Sequence, residues 1–329
     1  MRAPSLRFLI RLLAAGALAA ATATGAFAQD GYPARPIKLL VPFAAGGATD
    51  TLGRLLAAGL GEKLGQPVVV ENKPGASTVV AASMVAKAPP DGYTLLLGAS
   101  TTLTLNPAIR QSLPYDPITS FTPIGLVADM SLVLVAGNEV AASTLKDVVA
   151  LAKAAPDKFS YGSFGTGSSV HFGGEMLKSA TGIRMLHVPF NGSAPSLSAL
   201  MGGQVQLAVD TVVATTPLIK AGKIRPIAVL SAQRLPLLPK VPTVAESGYP
   251  GFEMGTWFAL VGPAGMPRAV QQTLEKTLAA VVRAPEMQQK LADIGLTYAY
   301  GDGAALKARV EAELPRMRSI AARADIRVD

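Results

Sequence analysis

Apolar runs alternate with stretches of helical periodicity over the first part of the chain. Ile37–Phe43 has the apolar character of a buried strand, and Asp50–Leu64 repeats leucine along one helix face, at Leu52, Leu55, Leu56, Leu60 and Leu64. The order of strand, helix and strand continues at Val68–Glu71, Ser77–Lys87 and Tyr93–Leu97. This alternation predicts an α/β fold with a largely parallel sheet.

A second set of strands and helices follows a loop-rich stretch. Its predicted strands are Ile124–Val127, Leu132–Ala136, Phe159–Ser163, Arg184–Phe190, Val205–Asp210 and Ile224–Ser231. Its predicted helices are Thr144–Ala154, Ser169–Ala180 and Ser193–Met201. After an extended segment at Phe252–Gly262, the chain ends in predicted helices near Arg268–Val282, Pro285–Ile294 and Gly303–Ala324. Pro315 is expected to kink or split the last of them.

No flexible linker separates the two sets, which indicates two lobes joined by strands that cross between them. Lobe 1 is expected to comprise residues 29–130 and 253–329, and lobe 2 residues 131–252. Ligands of open α/β sheets bind beyond the carboxyl ends of the strands, and lobes on short hinges can close around them. The pattern therefore predicts a ligand cleft between the lobes.

The N-terminus has the pattern of a secretory signal peptide. Arg2, Arg7 and Arg11 precede an uncharged stretch at Leu12–Phe27, and Ala26–Ala28 supplies a small-residue cleavage pattern. The stretch is shorter than the roughly 20 apolar residues that a membrane-spanning helix needs. We therefore expect residues 1–28 to be a signal peptide, cleaved after Ala28, and the remaining 301 residues to be periplasmic.

Composition excludes several classes of function. With no cysteine, the chain has no disulfides, thiol chemistry or iron–sulfur cluster. The net charge of +8 falls to +5 once the three Arg residues of the signal segment are removed, and no Lys/Arg run accompanies it, so nucleic-acid binding is not expected. Only His171 and His187 are present, without zinc-ligand spacing, and we expect neither a metal nor a cofactor.

Two glycine-rich turns follow predicted strands and precede predicted helices: "VPFAAGGATD" (Val41–Asp50) and "YGSFGTGSSVHFGGE" (Tyr161–Glu175). The first turn lacks Lys, Arg and His. A helix start carries unpaired N–H groups and partial positive charge, so it can hold an anion without a basic side chain. The two turns are expected to face each other across the cleft.

Other interpretations of these turns are weaker. Gly165–Val170 lacks the third glycine of a dinucleotide fingerprint, and no phosphate-binding P-loop or G-x-S-x-G elbow is present. Glycine also serves tight turns for backbone reasons alone. Asp50 fits a helix N-cap better than a direct ligand contact, whereas Asp210 fits a cap and a ligand contact equally well. His171 is expected to pack at a helix start and His187 to be a satisfied core residue.

Taken together, nine segments resemble, in order, the Bug family of substrate-binding receptors of tripartite tricarboxylate transporters. The resemblance extends from about Tyr32 to Ala324. The segments are "YPARPIKLLVPFAAGGATD", "LGQPVVVENKPGAS", "PPDGYTLLLG", "NPAI", "LPYDPITSFTPIG", "YGSFGTGSSVHFGGE", "HVPFNG", "LPKVPTVAESGYPGFE" and "GPAGMP".

The resemblance implies a two-lobe periplasmic binding protein of type II, a monomer without catalytic activity, which captures a small carboxylate and delivers it to an inner-membrane permease. The ligand contacts that it implies are Phe43, Ala45, Gly47, Thr49 and Asp50 in the first turn, Ser163, Thr166, Gly167 and Ser168 in the second, and Ser100, Thr101 and Asp210 beside them.

Two departures from the family pattern bear on the ligand. Relatives often continue "KPGA" with glycines, where this chain has Ser77-Thr78, and often carry Lys where it has Asn191. The missing charge favours a monocarboxylate or aromatic acid. A sensor that presents the ligand to a signalling partner is an alternative function. A hydrolase using Ser163 or Ser168 is another, for which no His–Asp arrangement is apparent in the sequence.

Overall fold

The computed structural model describes residues 31–156 and 158–328, and the predicted signal peptide lies outside them. Residues Arg35–Asp329 form one compact unit, which contains every strand and helix of the described part of the chain. Within the described residues, none of the helices combines the length and the apolar character that crossing a membrane requires.

Ten strands and ten α-helices are present in the described part of the chain. The strands are β1 (Ile37–Val41), β2 (Val68–Asn72), β3 (Thr94–Ala99), β4 (Phe121–Ala136), β5 (Ser160–Ser163), β6 (Leu186–Pro189), β7 (Leu207–Thr211), β8 (Arg225–Val229), β9 (Gly255–Pro263) and β10 (Thr297–Asp302). The helices are α1 (Ala48–Leu64), α2 (Val79–Ala86), α3 (Asn106–Ile109), α4 (Leu145–Ala154), α5 (Ser169–Thr181), α6 (Ser193–Met201), α7 (Val212–Lys220), α8 (Arg268–Val282), α9 (Pro285–Asp293) and α10 (Gly303–Arg323).

Helix α1 forms where the leucine spacing predicts it. Leu52, Leu56 and Leu60 are fully buried along one face, and the helix ends at Gly65, whose φ of 68° is in the left-handed region that suits a glycine C-cap. The helix begins at Ala48, two residues before the predicted start.

The sheet is mixed rather than largely parallel. β1 pairs in parallel with β2 and β3, and β5 pairs in parallel with β6 and β7. All pairings made by β4 and β9 are antiparallel. The hydrophobic pattern identified the two parallel groups and the extended segments of β4 and β9, but not the antiparallel direction in which these two strands pair.

Strand β4 connects the two groups. We predicted separate strands at Ile124–Val127 and Leu132–Ala136, but the structure has one strand of 16 residues. Its first part, up to Ser131, pairs with β9 and β10, and its last part, from Leu132, pairs with β7 and β8. The strand therefore changes partners at Ser131, the position where the predicted boundary between lobes falls.

The register of these pairings brings the carboxyl ends of both parallel groups towards the same part of β4. Ala99, the last residue of β3, and Ala128 of β4 both pair with Phe258 of β9, whereas Thr211, the last residue of β7, pairs with Leu132 of β4. Ala128 and Leu132 are four steps apart, about 13 Å along the strand. Because β3 and β7 reach these levels from opposite directions, the loops that follow them approach each other.

Helix α10 packs beside this part of β4 and is not split by Pro315. Neighbouring residues Leu314 and Met317 are buried, and this packing holds the helix on both sides of the proline. Trp257 of β9 is 1% exposed, and its indole Nε1 donates to Glu313 Oε2 of α10 at 2.7 Å, while Thr104 Oγ1 donates to Glu313 Oε1 at 2.7 Å. Glu313 thus ties β9 and the Thr101–Leu105 turn to one helix.

This network gives a first prediction. Trp257→Phe removes the indole donor and packing volume, and we expect the free energy of unfolding to fall by about 1–3 kcal/mol. Glu313→Gln keeps an acceptor for the indole and should cost less. Urea denaturation followed by circular dichroism measures both. Equal losses in the two variants would contradict the role given to the indole bond.

Candidate functional site

The first glycine turn presents an exposed backbone and an unpaired helix start. Residues 44–47 are exposed, and Gly47 is the N-cap of α1. The first backbone bond of the helix runs from the Thr51 N–H to the Gly47 carbonyl, so the N–H groups of Ala48 and Thr49 precede it. A Cβ at Gly47 would have no atom within 4 Å. The turn therefore has open space in front of free donors.

Asp50 is not the N-cap that we predicted. It lies in the first turn of α1, because Gly47 takes the cap position, and its side chain points back to the preceding turn. Its Oδ2 accepts from the Gly46 N–H at 2.9 Å and from Arg54 Nε at 3.1 Å. Led by the Gly46 bond, these contacts lower the pKa of Asp50 to about 2. Asp50 thus holds the shape of the turn, and Arg54 compensates its charge.

Asn72, at the end of β2, was missed by the sequence analysis. Its Nδ2 donates to the Phe43 carbonyl at 3.1 Å and to Asp50 Oδ1 at 3.0 Å. Both bonds stabilise the first turn from the neighbouring strand. The signal that would have found it is its place at the carboxyl end of a strand parallel to β1. Phe43 is half-buried and Ala45 is exposed beside it.

Ser100 and Thr101 follow β3, at the same edge of the sheet as the first turn. Ser100 is fully buried, and its Oγ has no hydrogen-bond partner in the structure. Thr101 is half-buried and opens a π-helical turn that continues to Leu105. An orphaned buried hydroxyl at this position is available to a ligand or to water.

The segment after β2 contains three consecutive non-glycine residues with positive φ: Ala76 at 45°, Ser77 at 53° and Thr78 at 82°. Asn106 Nδ2 donates to the Ser77 carbonyl at 2.6 Å, and Thr102 Oγ1 donates to Thr78 Oγ1 at 2.9 Å. Glycine adopts such a left-handed path more readily than Ala, Ser or Thr, and in this chain side-chain hydrogen bonds hold it.

The second glycine turn uses most of its polar groups internally. Ser163 Oγ accepts from the Gly165 N–H at 3.2 Å, and the Ser168 N–H donates to the Gly165 carbonyl at 3.3 Å. Ser168 is the N-cap of α5, and its Oγ accepts from the His171 N–H. Thr166 is exposed at the tip. The first backbone hydrogen bond of α5 runs from the Phe172 N–H to the Ser168 carbonyl. The Ser169 and Val170 N–H groups precede this bond.

The structure constrains Gly167 in two ways that the sequence did not show. Its N–H donates to His171 Nδ1 at 3.1 Å, so this donor is already used. Its φ is 75°, and a Cβ there would overlap the side chain of Ile109 in α3. Gly167 therefore sits where the second turn packs against the segment that follows Ser100 and Thr101.

Both histidines belong to this second turn. His171 is buried in the first turn of α5, as predicted, and its ring stacks on that of His187 with centroids 3.8 Å apart. His187 is half-buried, and its Nε2 lies 2.7 Å from Ser163 Oγ. Desolvation by burial lowers the pKa of each histidine to about 4. His187 is thus a partner of the turn rather than only a core residue.

Asp210 is fully buried at the carboxyl end of β7. Its Oδ1 accepts from Ser193 Oγ and from the Thr211 N–H, both at 2.7 Å, while its Oδ2 has no partner in the structure. Thr211 rather than Asp210 caps α7. Desolvation raises the pKa of Asp210 to about 6. Like Ser100 Oγ, Asp210 Oδ2 is therefore a buried oxygen without a hydrogen-bond partner in the structure.

The contact between Ser163 and His187 has the distance of a nucleophile–base pair. A working pair also needs a group that orients the base. Among the described residues, no carboxylate is hydrogen-bonded to His187. Nor does the described part of the chain hold a group of three or more His, Asp or Glu side chains suited to a metal ion.

From the pKa values of Asp210 and Asp50, we predict opposite effects of pH on the stability of the folded protein. The pKa of Asp210 in the folded state, about 6, exceeds its unfolded value of 3.8, so its ionisation costs stability above pH 6 and the cost disappears as pH falls towards 4. The difference between the folded and unfolded pKa values of Asp210 corresponds to roughly 3 kcal/mol. Asp210→Asn should therefore raise Tm relative to the unsubstituted protein at pH 7.5, with the difference gone by pH 4.

Asp50→Asn is the matched control. The pKa of Asp50 is lowered on folding, so its stabilising contribution is present above pH 3.8 and is lost as pH falls towards 2. Asp50→Asn should lower Tm at pH 7.5. Thermal unfolding of both variants between pH 3 and 8 measures the effects, and a loss of stability of similar size in both at pH 7.5 would refute the assignment for Asp210.

Comparison with known proteins identifies the family. The family model described as tripartite tricarboxylate transporter family receptor (TctC) matches residues 52–325. BugT of Bordetella pertussis is 35% identical over 292 residues, which cover 88% of this chain and 90% of BugT. The structure of Rpa4515 from R. palustris with adipate has a TM-score of 0.81 and 38% identity, covering 90% of this chain and 99% of that one.

A further solved structure is MatC from Rhodopseudomonas palustris with bound malate. It has a TM-score of 0.75 and 32% identity, and covers 88% of this chain and 99% of that one. These matches extend over nearly all of the region that the sequence motifs cover. The chain belongs to the tripartite tricarboxylate transporter receptor family, the Bug family, whose members are periplasmic solute-binding receptors and not enzymes.

Proposed function

We propose that this receptor binds a small carboxylate between its two glycine turns and delivers it to a permease of the tripartite tricarboxylate type. One observation carries the proposal: β4 brings the loops after β3 and β7 to levels only four residues apart. Each parallel group contributes a helix start with unpaired N–H groups, and such starts attract anions.

The binding residues that we propose are those predicted from the sequence, in three roles. Main-chain donors near Gly47 and Thr49 face one end of the ligand, with Phe43 and Ala45 beside them. Ser163, Thr166, Gly167 and Ser168 shape the opposite turn. Ser100, Thr101 and Asp210 supply polar side chains between the two. Asp50 acts through the shape of the first turn, since its oxygens are occupied by Gly46, Arg54 and Asn72.

Dicarboxylates are the first class to test, because the structures of two relatives contain adipate and malate. The opposing expectation, a monocarboxylate or aromatic acid, comes from Asn191, which is exposed just before α6. Asp210 also bears on this choice. Its unpaired oxygen can accept a hydrogen bond from a hydroxyl, an ammonium or a protonated carboxyl group of the ligand.

Closure of two lobes would convert binding into a signal for the permease. The lobes would comprise residues 29–130 with 253–329, and residues 131–252, and the change of partners along β4 at Ser131 supports this division. A ligand that contacts both turns stabilises the closed arrangement, and the permease recognises that arrangement.

Export to the periplasm would follow from the signal peptide at residues 1–28. The N-terminal pattern of basic residues, an apolar stretch and small residues supports it. Intact mass spectrometry of the protein recovered from a periplasmic extract should give a chain that starts at Gln29. A mass that includes residues 1–28 would contradict cleavage.

A thermal-shift screen of residues 29–329, refolded to remove co-purified ligand, tests the binding function. Adipate and malate represent dicarboxylates without and with a hydroxyl group, and citrate, benzoate and glutamate represent tricarboxylates, aromatic acids and amino acids. A ligand at a hundred times its Kd stabilises the folded state by about 2.7 kcal/mol. We expect a rise in Tm with a dicarboxylate. A response to benzoate alone would instead favour the expectation from Asn191, and no response in any class would contradict carboxylate capture.

Gly47→Val locates the site. Its backbone φ of −86° is ordinary for valine, and the added side chain has open space, so the fold should tolerate it while the approach to the helix start is blocked. We expect at least about a tenfold loss of affinity, equal to 1.4 kcal/mol. Ala58→Val, on the exposed side of the same helix, is the control. Equal affinity in the two variants would remove the first turn from the site. Gly167 is less suitable, since a side chain there overlaps Ile109.

A further inference from the structure

His171 and His187, the only histidines in the sequence, form one unit with the second glycine turn. Their rings are nearly parallel, with an interplanar angle of 12°. They come from different elements, α5 and β6, and lie on either side of the turn. Each ring makes one hydrogen bond to a residue of this turn. The proposed receptor function gives neither ring a role.

The bond made by His171 fixes its chemical form. Nδ1 accepts from the Gly167 N–H, so Nδ1 carries no proton and the ring proton of the neutral imidazole is on Nε2. A ring protonated at Nδ1 would present N–H against N–H. The backbone orientation at Gly167 therefore depends on a neutral His171 in a single tautomer.

His187 acts on the backbone of the turn indirectly, through the side chain of Ser163. Its Nε2 contacts Ser163 Oγ at 2.7 Å, and the same Oγ accepts from the Gly165 N–H at 3.2 Å. His187 thus orients the serine hydroxyl that holds Gly165. The two rings together tether Gly165 and Gly167.

Burial is the largest cause that lowers the pKa of each ring and so keeps it neutral. Glu175 acts in the opposite direction on the pKa of His187, but its Oε1 accepts from Tyr161 Oη at 2.8 Å and its Oε2 lies 2.8 Å from Lys178 Nζ. The charge on Glu175 is therefore offset by Lys178, whose own positive charge also disfavours protonation of the rings.

The tethers act on a backbone that would otherwise be free. Gly165 has a φ of 136° and Gly167 a φ of 75°, and glycine adopts these angles among many others. Fixing such residues on ligand binding costs conformational entropy, which a preformed turn avoids.

We propose that His171 and His187 are positioning residues that hold the second glycine turn in its ligand-binding conformation, His171 through Nδ1 to Gly167 and His187 through Nε2 to Ser163. This role rests on the proposed receptor function. The rings act through the backbone of the turn and through Ser163, without contact to the ligand.

Substitution by Asn or Gln can replace one ring nitrogen without the other, so the two substitutions should rank in opposite order at positions 171 and 187. Asn places its amide near the position of Nδ1, and Gln near that of Nε2. At position 171, His171→Asn should retain an acceptor for Gly167, and His171→Gln should bind adipate at least about tenfold more weakly than His171→Asn, the cost of re-ordering roughly one backbone residue. At position 187 the ranking should reverse, with His187→Gln better than His187→Asn.

The crossed ranking separates positioning from packing. Gln is closer than Asn to the volume of His, so a role in packing alone would favour Gln at both positions. Isothermal titration with adipate measures affinity, and thermal unfolding without ligand records any loss of fold. The same ranking at both positions would overturn the proposal.

Nuclear magnetic resonance tests the tethers without any ligand. Because the chain has two histidines, selective ¹⁵N-histidine labelling gives two ring systems. At neutral pH we expect His171 as the Nε2–H tautomer, and slower hydrogen exchange of the Gly167 amide in the unsubstituted protein and His171→Asn than in His171→Gln. A protonated Nδ1 on His171, or equal exchange in the two variants, would refute the tether. Absence of adipate binding with intact tethers would count against the dicarboxylate proposal instead.

Discussion

The sharing of β4 between two groups of strands is the constraint on which the rest of the structure depends. A strand of 16 residues that pairs with β9 and β10 along its first part and with β7 and β8 along its last cannot shift by one residue without disturbing both groups. That register brings the ends of β3 and β7 within four residues of the same level. Binding loops on such a rigid frame can consist of small residues, because the frame supplies their positions.

Within that frame, the polar groups of the two turns fall into two classes. Some are consumed by side chains that fix the turns: the Gly46 N–H by Asp50, the Phe43 carbonyl by Asn72 and the Gly167 N–H by His171. Others stay without a partner, among them Ser100 Oγ and Asp210 Oδ2. Buried polar groups without partners are costly. These two oxygens lie at the carboxyl ends of β3 and β7, and in the function that we propose a ligand or water would satisfy them.

The sequence predicted local structure well and long-range pairing poorly, for physical reasons. The leucines of α1 reveal their helix because helical periodicity is a property of neighbouring residues. The break in β4 was a false boundary, since Asp129, Met130 and Ser131 interrupt the apolar pattern while the backbone continues its pairing with β9. The cap assigned to Asp50 was wrong because Gly47 can take that position without a side chain. No local pattern could show that Asn72 reaches Asp50, or that His187 reaches Ser163.

The structure explains how the first turn can attract an anion without a basic side chain. Asp50 brings a negative charge there, but Arg54, four residues further along α1, pairs with it at 3.1 Å. The turn is thus close to neutral, and the partial charge of the helix start remains as its attraction for an anion. Such an attraction is weaker than that of an Arg–carboxylate pair. In the function that we propose, the receptor must release its ligand to a permease. Dipoles fixed by the fold would orient a carboxylate, and closure around it would supply the remaining affinity.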